Sequence, residues 1–158
     1  SSPGPGDAYC FGDGSGTACP CGNTGNSGEG CANQNGSGAL MSGAGSASIS
    51  ADDLVLNVVN LTQGPGLFFQ GNNAVNSANG NPFGDGLRCA GGNVLRLEVQ
   101  FANIGNNFSV QTTLPIAASA NVSIGQTKRY QYWYRDSGAS HSNSQFNLSN
   151  GYEVTWGA

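Results

Sequence analysis

A chain of 158 residues with 26 glycines and 9% charged residues, against roughly 25% charged in ordinary soluble domains, is long enough for one domain with a real core. Its glycine content excludes long helices, because each interior glycine costs about 1 kcal/mol relative to alanine, and it has no apolar run of about 18 residues to span a bilayer. The net charge is −4, and without a basic stripe a nucleic-acid partner is excluded.

The opening Ser1-Ser2-Pro3-Gly4 is what a mature chain shows after export cleavage. Residues 1–38 read as a Gly/Cys-rich N-terminal arm, and 39–158 as a β-sandwich domain. The arm has almost no apolar periodicity, so alone it would be disordered. Cross-links, a cation or a neighbouring surface are expected to order it. Cys10, Cys19, Cys21 and Cys31 lie in the arm and Cys89 beyond it, a pattern that suits disulfide staples in an oxidising compartment. The odd count leaves one thiol free, bridged to another chain or modified. Cys19-Pro20-Cys21 is too short to close on itself, so these two are expected to reach different partners. Zinc lacks the Cys-x-x-Cys spacing it prefers.

Phe11-Gly12-Asp13-Gly14 recurs as Phe83-Gly84-Asp85-Gly86. Asp13 and Asp85, each between glycines, and Asp7 are the candidate hard-oxygen ligands for Ca2+; plain turns are the alternative. No cofactor is otherwise required.

From Ala39 the chain reads as strand after strand. Ser46–Ser50 alternates small residues, and Leu54–Leu61 is β-branched and apolar. Gly64-Pro65-Gly66 should end that run before Leu67–Gln70, and 71–82 reads as loop. Val94–Phe101 is the cleanest strand, with Leu95, Leu97, Val99 and Phe101 on one face. Phe108–Leu114 alternates too, and Asn121–Ile124 is a further short candidate. Lys128–Asp136 places Tyr130, Tyr132 and Tyr134 on one face and Arg129, Gln131, Trp133 and Arg135 on the other. Asn150-Gly151 between Phe146–Ser149 and Tyr152–Trp156 is a strong hairpin signal. About eight short strands with no helical period of more than a turn predict an all-β fold, an antiparallel sandwich or jelly roll.

Catalysis has little to work with. His141, the single histidine, lies in a polar loop with no nucleophile elbow nearby, and the expectation is a non-enzyme. Trp133, Tyr132 and Trp156 are the candidates for stacking on sugar rings, with core packing as the alternative use. Asn35, Asn60, Asn107, Asn121 and Asn147 open Asn-x-Ser/Thr glycosylation sequons, Asn60 in a strand expected to be buried.

Three segments together, Phe83-Gly-Asp-Gly-Leu-Arg-Cys89, Tyr130-Gln-Tyr-Trp-Tyr-Arg-Asp136 and Phe146-Asn-Leu-Ser-Asn-Gly151 with Val154-Thr-Trp156, resemble a Gly-rich β module on exported proteins of planctomycete-type environmental bacteria. Cys10-Phe-Gly-Asp-Gly14 and Cys19-Pro-Cys-Gly22 add to the resemblance, which covers nearly the whole chain. It implies a secreted or surface location and a non-catalytic role, and carries no activity to transfer. Such modules often have a cysteine shortly before the Phe-Asn-Leu segment, where this chain has Ser140-His141-Ser142-Asn143, which accounts for the odd cysteine.

The leading expectation is an extracellular structural subunit that assembles with copies of itself into a filament or surface layer. Its arm would add a strand to a neighbour's sheet edge, and disulfides would lock the contact. Six acids and no base precede Arg88, whereas five bases and three acids follow from it, an asymmetry that suits head-to-tail contacts. The alternative is a carbohydrate- or matrix-binding module.

Overall fold

The computed structural model describes residues 4–137 and 144–158; His141 lies outside them. In chain order the strands are β1 (Asp7–Tyr9), β2 (Leu40–Ala44), β3 (Val55–Val59), β4 (Gly64–Gly71), β5 (Asn73–Ala74), β6 (Asn81–Phe83), β7 (Gly86–Arg88) and β8 (Ala90–Gly91). Then come β9 (Leu95–Ala102), β10 (Val110–Gln111), helix α1 (Ile116–Ala120), β11 (Thr127–Arg135), β12 (Phe146–Leu148) and β13 (Gly151–Thr155). The all-β expectation holds. Among the described residues there are thirteen strands rather than about eight, because several are segments of two or three residues.

The main antiparallel sheet runs β1-β13-β11-β4-β9, with β12 also on β11. A second sheet runs β10-β3-β2, and β5-β8 and β6-β7 are two-stranded ribbons. Alternation along β11 sends Tyr130, Tyr132 and Tyr134 inward, as expected. They join Phe68 and Val154 of the main sheet and Met41, Leu56 and Val58 of the second in one core, closed by Ile116 and Trp156. Each large apolar side chain so buried contributes about 1.5–3 kcal/mol.

Several local expectations change. Ser46–Ser50 is no strand: it bends and turns around a single β-bridge from Ser48 to Gly157, and the strand before β3 is β2 instead. Gly64-Pro65-Gly66 is not a break: it forms the first part of β4, opposite Phe101 and its neighbours in β9. Asn121–Ile124 is turn after α1. The helix itself exceeds a single turn slightly, and its start is capped from afar, the Asp52 carboxylate accepting from the N–H groups of Ala117 and Ala118 at 2.8 and 3.0 Å.

Asn150-Gly151 is not a hairpin turn. β12 and β13 lie end to end along the same side of β11, and the hairpin partner of β11 is this pair as a unit. Neither Asn150 nor Gly151 has a positive φ. Gly151 is required by close approach, since a Cβ there would sit 2.5 Å from the Tyr9 ring. Asn150 is fully buried and acts as a cross-sheet clamp. Its side chain accepts from Met41 N–H at 2.7 Å and donates to Met41 C=O at 3.2 Å.

The arm finds its partners in its own chain. β1 pairs antiparallel with β13, from Asp7 opposite Glu153 to Tyr9 opposite Gly151. Cys10–Cys89 ties arm to body and Cys19–Cys31 closes a loop within the arm. Apolar area is scarce, so buried amides and carboxylates, Asp136 accepting from Gln34 N–H among them, do the rest. Asn23 donates to the carbonyls of Ala32 and Asp85. Asn33 donates to the Asn60 carbonyl and the Tyr134 hydroxyl. Glu29, 8% exposed, accepts from the N–H of Asn26 and of Gly38 and from the Asn60 amide. The arm's own strand thus adds to a sheet edge within the chain, at β13.

Candidate functional site

β9 sets up the site by turning Val99 and Phe101, the apolar residues after its bulge, outward, while Leu97 packs against the core. The register between β4 and β9 shifts between Phe68 and Phe69, so that Phe68 faces Glu98 and Phe69 faces Arg96 while Leu97 has no direct partner. Such a bulge exchanges the two faces of a strand. Glu98 and Gln100 consequently lie on the core side. There the Glu98 carboxylate accepts from the N–H groups of Thr113 and Leu114, and the Gln100 carbonyl accepts from the Tyr132 hydroxyl. Val99 and Phe101, expected in the core, are 66% and 52% exposed.

The outer face of the main sheet is thus apolar along much of its length, and the ribbons cover only part of it. Phe69, Ala90 and Leu148 are buried there, with Phe83, Trp133 and Phe146 half-buried at the margin. The buried Gln131 amide fixes the covering segment, accepting from Cys89 N–H at 2.8 Å and donating to the carbonyls of Leu87 and Ser149. Beyond the margin the face is open. Trp133 stands opposite Leu67 of β4 and Leu148 of β12. Its ring meets Phe83 at 5.6 Å and Phe146 edge-on at 5.5 Å. The packing holds the indole in one orientation while leaving part of it exposed, as an anchor for a planar ligand requires.

Two adjoining hollows share Trp133, Leu67 and Arg96. One, of about 330 Å³, is also lined by Val99, Arg135 and Phe146. The other, of about 200 Å³, is also lined by Phe83, Arg88 and Val94. Arg88 is steadied by its own surroundings, with Nε donating to the Ala90 carbonyl and the guanidinium 5.8 Å from the Phe83 ring centre. A third hollow, between the arm, β2 and Tyr152, has no charged side chain in its lining.

Of the three proposed sugar-stacking residues, only Trp133 is placed to meet a ligand. Tyr132 and Trp156 are 0% and 1% exposed. They belong to the core, where the Trp156 indole N–H donates to the Tyr130 hydroxyl, which in turn donates to Gln70 Oε1. Alternation along β11 shows Trp133 and Arg135 on one face but gives no sign of Phe83, Phe146, Arg88 and Arg96, which reach Trp133 from distant segments.

The other candidate residues lie apart from this face. Asp7 is exposed on β1, opposite Glu153. Asp13 accepts from the N–H groups of Ser15 and Gly28, bonds that hold its carboxyl below the ordinary carboxylate value, the Gly28 bond foremost. Asp85 is fully buried and accepts from the Ser144 hydroxyl. Among the described residues no group of three or more His, Cys, Asp or Glu is placed to hold a metal ion. Cys19 pairs with Cys31, whereas Cys21, expected to reach a different partner, is a free and exposed thiol.

Asn35, Asn107 and Asn121 are exposed. Asn60, expected to be buried, is exposed at the end of β3. Asn147 is the buried one, with its amide donating to the carbonyls of Cys31 and Ala32.

No helix among the described residues is long and apolar enough to cross a membrane. Comparison of the chain with family models, with curated proteins and with solved structures finds no match.

Proposed function

We propose that this chain is an exported, non-catalytic module that fixes itself to a polysaccharide matrix through the open face around Trp133. The observation that carries this reading is a held but half-exposed indole at the junction of two hollows on a sheet face that the chain's own ribbons leave partly uncovered. Sugar rings offer apolar C–H faces that stack on such a ring, and ligand sites combine an apolar floor with a few polar groups. Two intrachain disulfides suit an oxidising compartment, and the resemblance to exported Gly-rich β modules points the same way. Native gels cast with soluble polysaccharides test the reading. Retardation by at least one polysaccharide is expected, and Trp133→Ala should weaken it roughly tenfold or more, the scale of an aromatic anchor. Migration unaffected by every polysaccharide would overturn it.

A second reading, self-assembly into a filament or surface layer, is favoured by β9. It is an edge strand of eight residues with Val99 and Phe101 exposed, and long apolar edges are ready templates for pairing. In this reading β9, rather than the arm, makes the contact, and the exposed Cys21 thiol supplies the cross-link. Filaments in negative stain, with ladders that collapse on reduction, would mark this outcome.

A further inference from the structure

We propose that the ligand of the Trp133 face is an acidic polysaccharide, one whose sugar rings carry carboxylates; this rests on the polysaccharide reading above. The distribution of positive charge points to it. The chain has five lysine and arginine residues in all. Two lie away from the hollows: Lys128 donates to the Asn72 side chain, and Arg129 donates to the Asn72 carbonyl and pairs with Glu153 at 3.4 Å. The other three, Arg88, Arg96 and Arg135, all line the two hollows that meet at Trp133.

No carboxylate lines either hollow. Arg96 and Arg135 are exposed, and among the described residues neither makes an ion pair. In a protein of net charge −4, three guanidinium groups around one aromatic floor make a local positive field against an acidic background.

Guanidinium groups match carboxylates through paired N–H donors. The half-exposed indole between them provides the stacking surface for the ring that bears the acid. Arg88, held against Phe83, is already oriented, so less entropy is lost when it binds. Nucleic acid also stacks and carries charge, but its closely spaced phosphates call for an extended basic track. Here the positive patch is only three residues wide.

The test compares polygalacturonate with its fully methyl-esterified form, in which the same rings lose their charge, by retardation in native gels. The expected result is that the acid form binds at least tenfold more tightly and that about 0.2 M salt erodes the difference. Arg96→Gln with Arg135→Gln, both at exposed positions, should lower affinity for the acid form toward that of the ester, and Trp133→Ala should weaken both. Equal, salt-insensitive binding of acid and ester, lost in Trp133→Ala, would overturn the acidic assignment and leave the polysaccharide reading standing. Binding of neither form nor of any other polysaccharide would overturn both. A single-stranded oligonucleotide that displaces polygalacturonate at equal charge concentration would also overturn the assignment. So would concentration-dependent self-association that Trp133→Ala abolishes, which would give the face to a second copy of the chain.

Discussion

Asparagine does the work in this chain that glycine and charged residues do elsewhere. Asn60, Asn107 and Asn121 adopt left-handed backbone, with φ of 64°, 57° and 51°, a conformation asparagine tolerates better than other side chains with a Cβ. Three of the five sequons therefore coincide with left-handed turns, which explains their asparagines without invoking glycans. Asn23, Asn33, Asn147 and Asn150 are buried and satisfy backbone groups of distant segments. Truncating such a residue leaves buried donors and acceptors unpaired, which costs about 1–3 kcal/mol. Asn150→Ala should accordingly lower unfolding free energy by that amount in urea titration, with the slope unchanged, and a loss indistinguishable from zero would contradict the clamp. The Asn-Gly pair was legible as a special point in the sequence but misread as a turn. The two residues are used for a buried amide and a missing Cβ, and neither use has a short-range signature.

At the scale of elements, the tyrosine face of β11 was legible because its alternation matches its burial. β9 was not. Its alternation is equally clean, but a bulge and the pull of Thr113 and Leu114 on Glu98 split it, sending Glu98 and Gln100 to the core rim and leaving Arg96 on the outer face. A period of two says that the faces differ, not which one is inside. For the same reason the open face could be seen only with Trp133 as one residue of a pattern, and its partners Phe83 and Phe146 come from segments far apart in sequence.

The arm's scarcity of apolar residues was legible in the sequence, and in the structure it is tied to the body by β1 and by Cys10–Cys89. Its two disulfides should differ in weight. Cys10–Cys89 spans a separation of 79 residues and Cys19–Cys31 one of 12. By the chain-entropy relation these are worth about 4.5 and about 3 kcal/mol. Replacing Cys10 and Cys89 by serine should thus cost more stability than replacing Cys19 and Cys31, read by thermal or denaturant unfolding, and it should expose β1 to amide exchange. The reverse order would contradict the anchoring role of Cys10–Cys89. The distant cap on α1 is similarly testable: Asp52→Ala should cost about 0.5–2 kcal/mol, detectable in the same unfolding assay.

For the whole molecule, burial pushes all five tyrosines above their ordinary value of 10.0. A raised folded-state value leaves stability intact below about pH 10 and removes it as pH rises further, because only the unfolded chain then releases the proton. Tyrosinate absorbance should therefore be nearly silent above pH 10 until it appears together with unfolding. A smooth rise centred on the ordinary value, in protein still folded by circular dichroism, would contradict the buried placement.

On the acid side, Asp13 and Asp53 are held low by accepted hydrogen bonds, chiefly from Gly28 N–H and the Ser46 hydroxyl respectively. Burial opposes the same effect at Glu98, where bonds from Thr113, Gln100 and Leu114 outweigh it. These depressed values contribute stability above about pH 4 that is lost as pH falls below it.

Both tryptophans have a defined place, Trp156 inside the core and Trp133 at the junction of the hollows, so two indole N–H resonances report on core and face separately. Titrating ¹⁵N-labelled protein with oligogalacturonate should shift or broaden the Trp133 resonance, together with the Leu67 and Val99 amides, and leave Trp156 in place. An unmoved Trp133 resonance under conditions in which the oligosaccharide is bound would mean that the ligand sits elsewhere, and the open face would lose its assigned role.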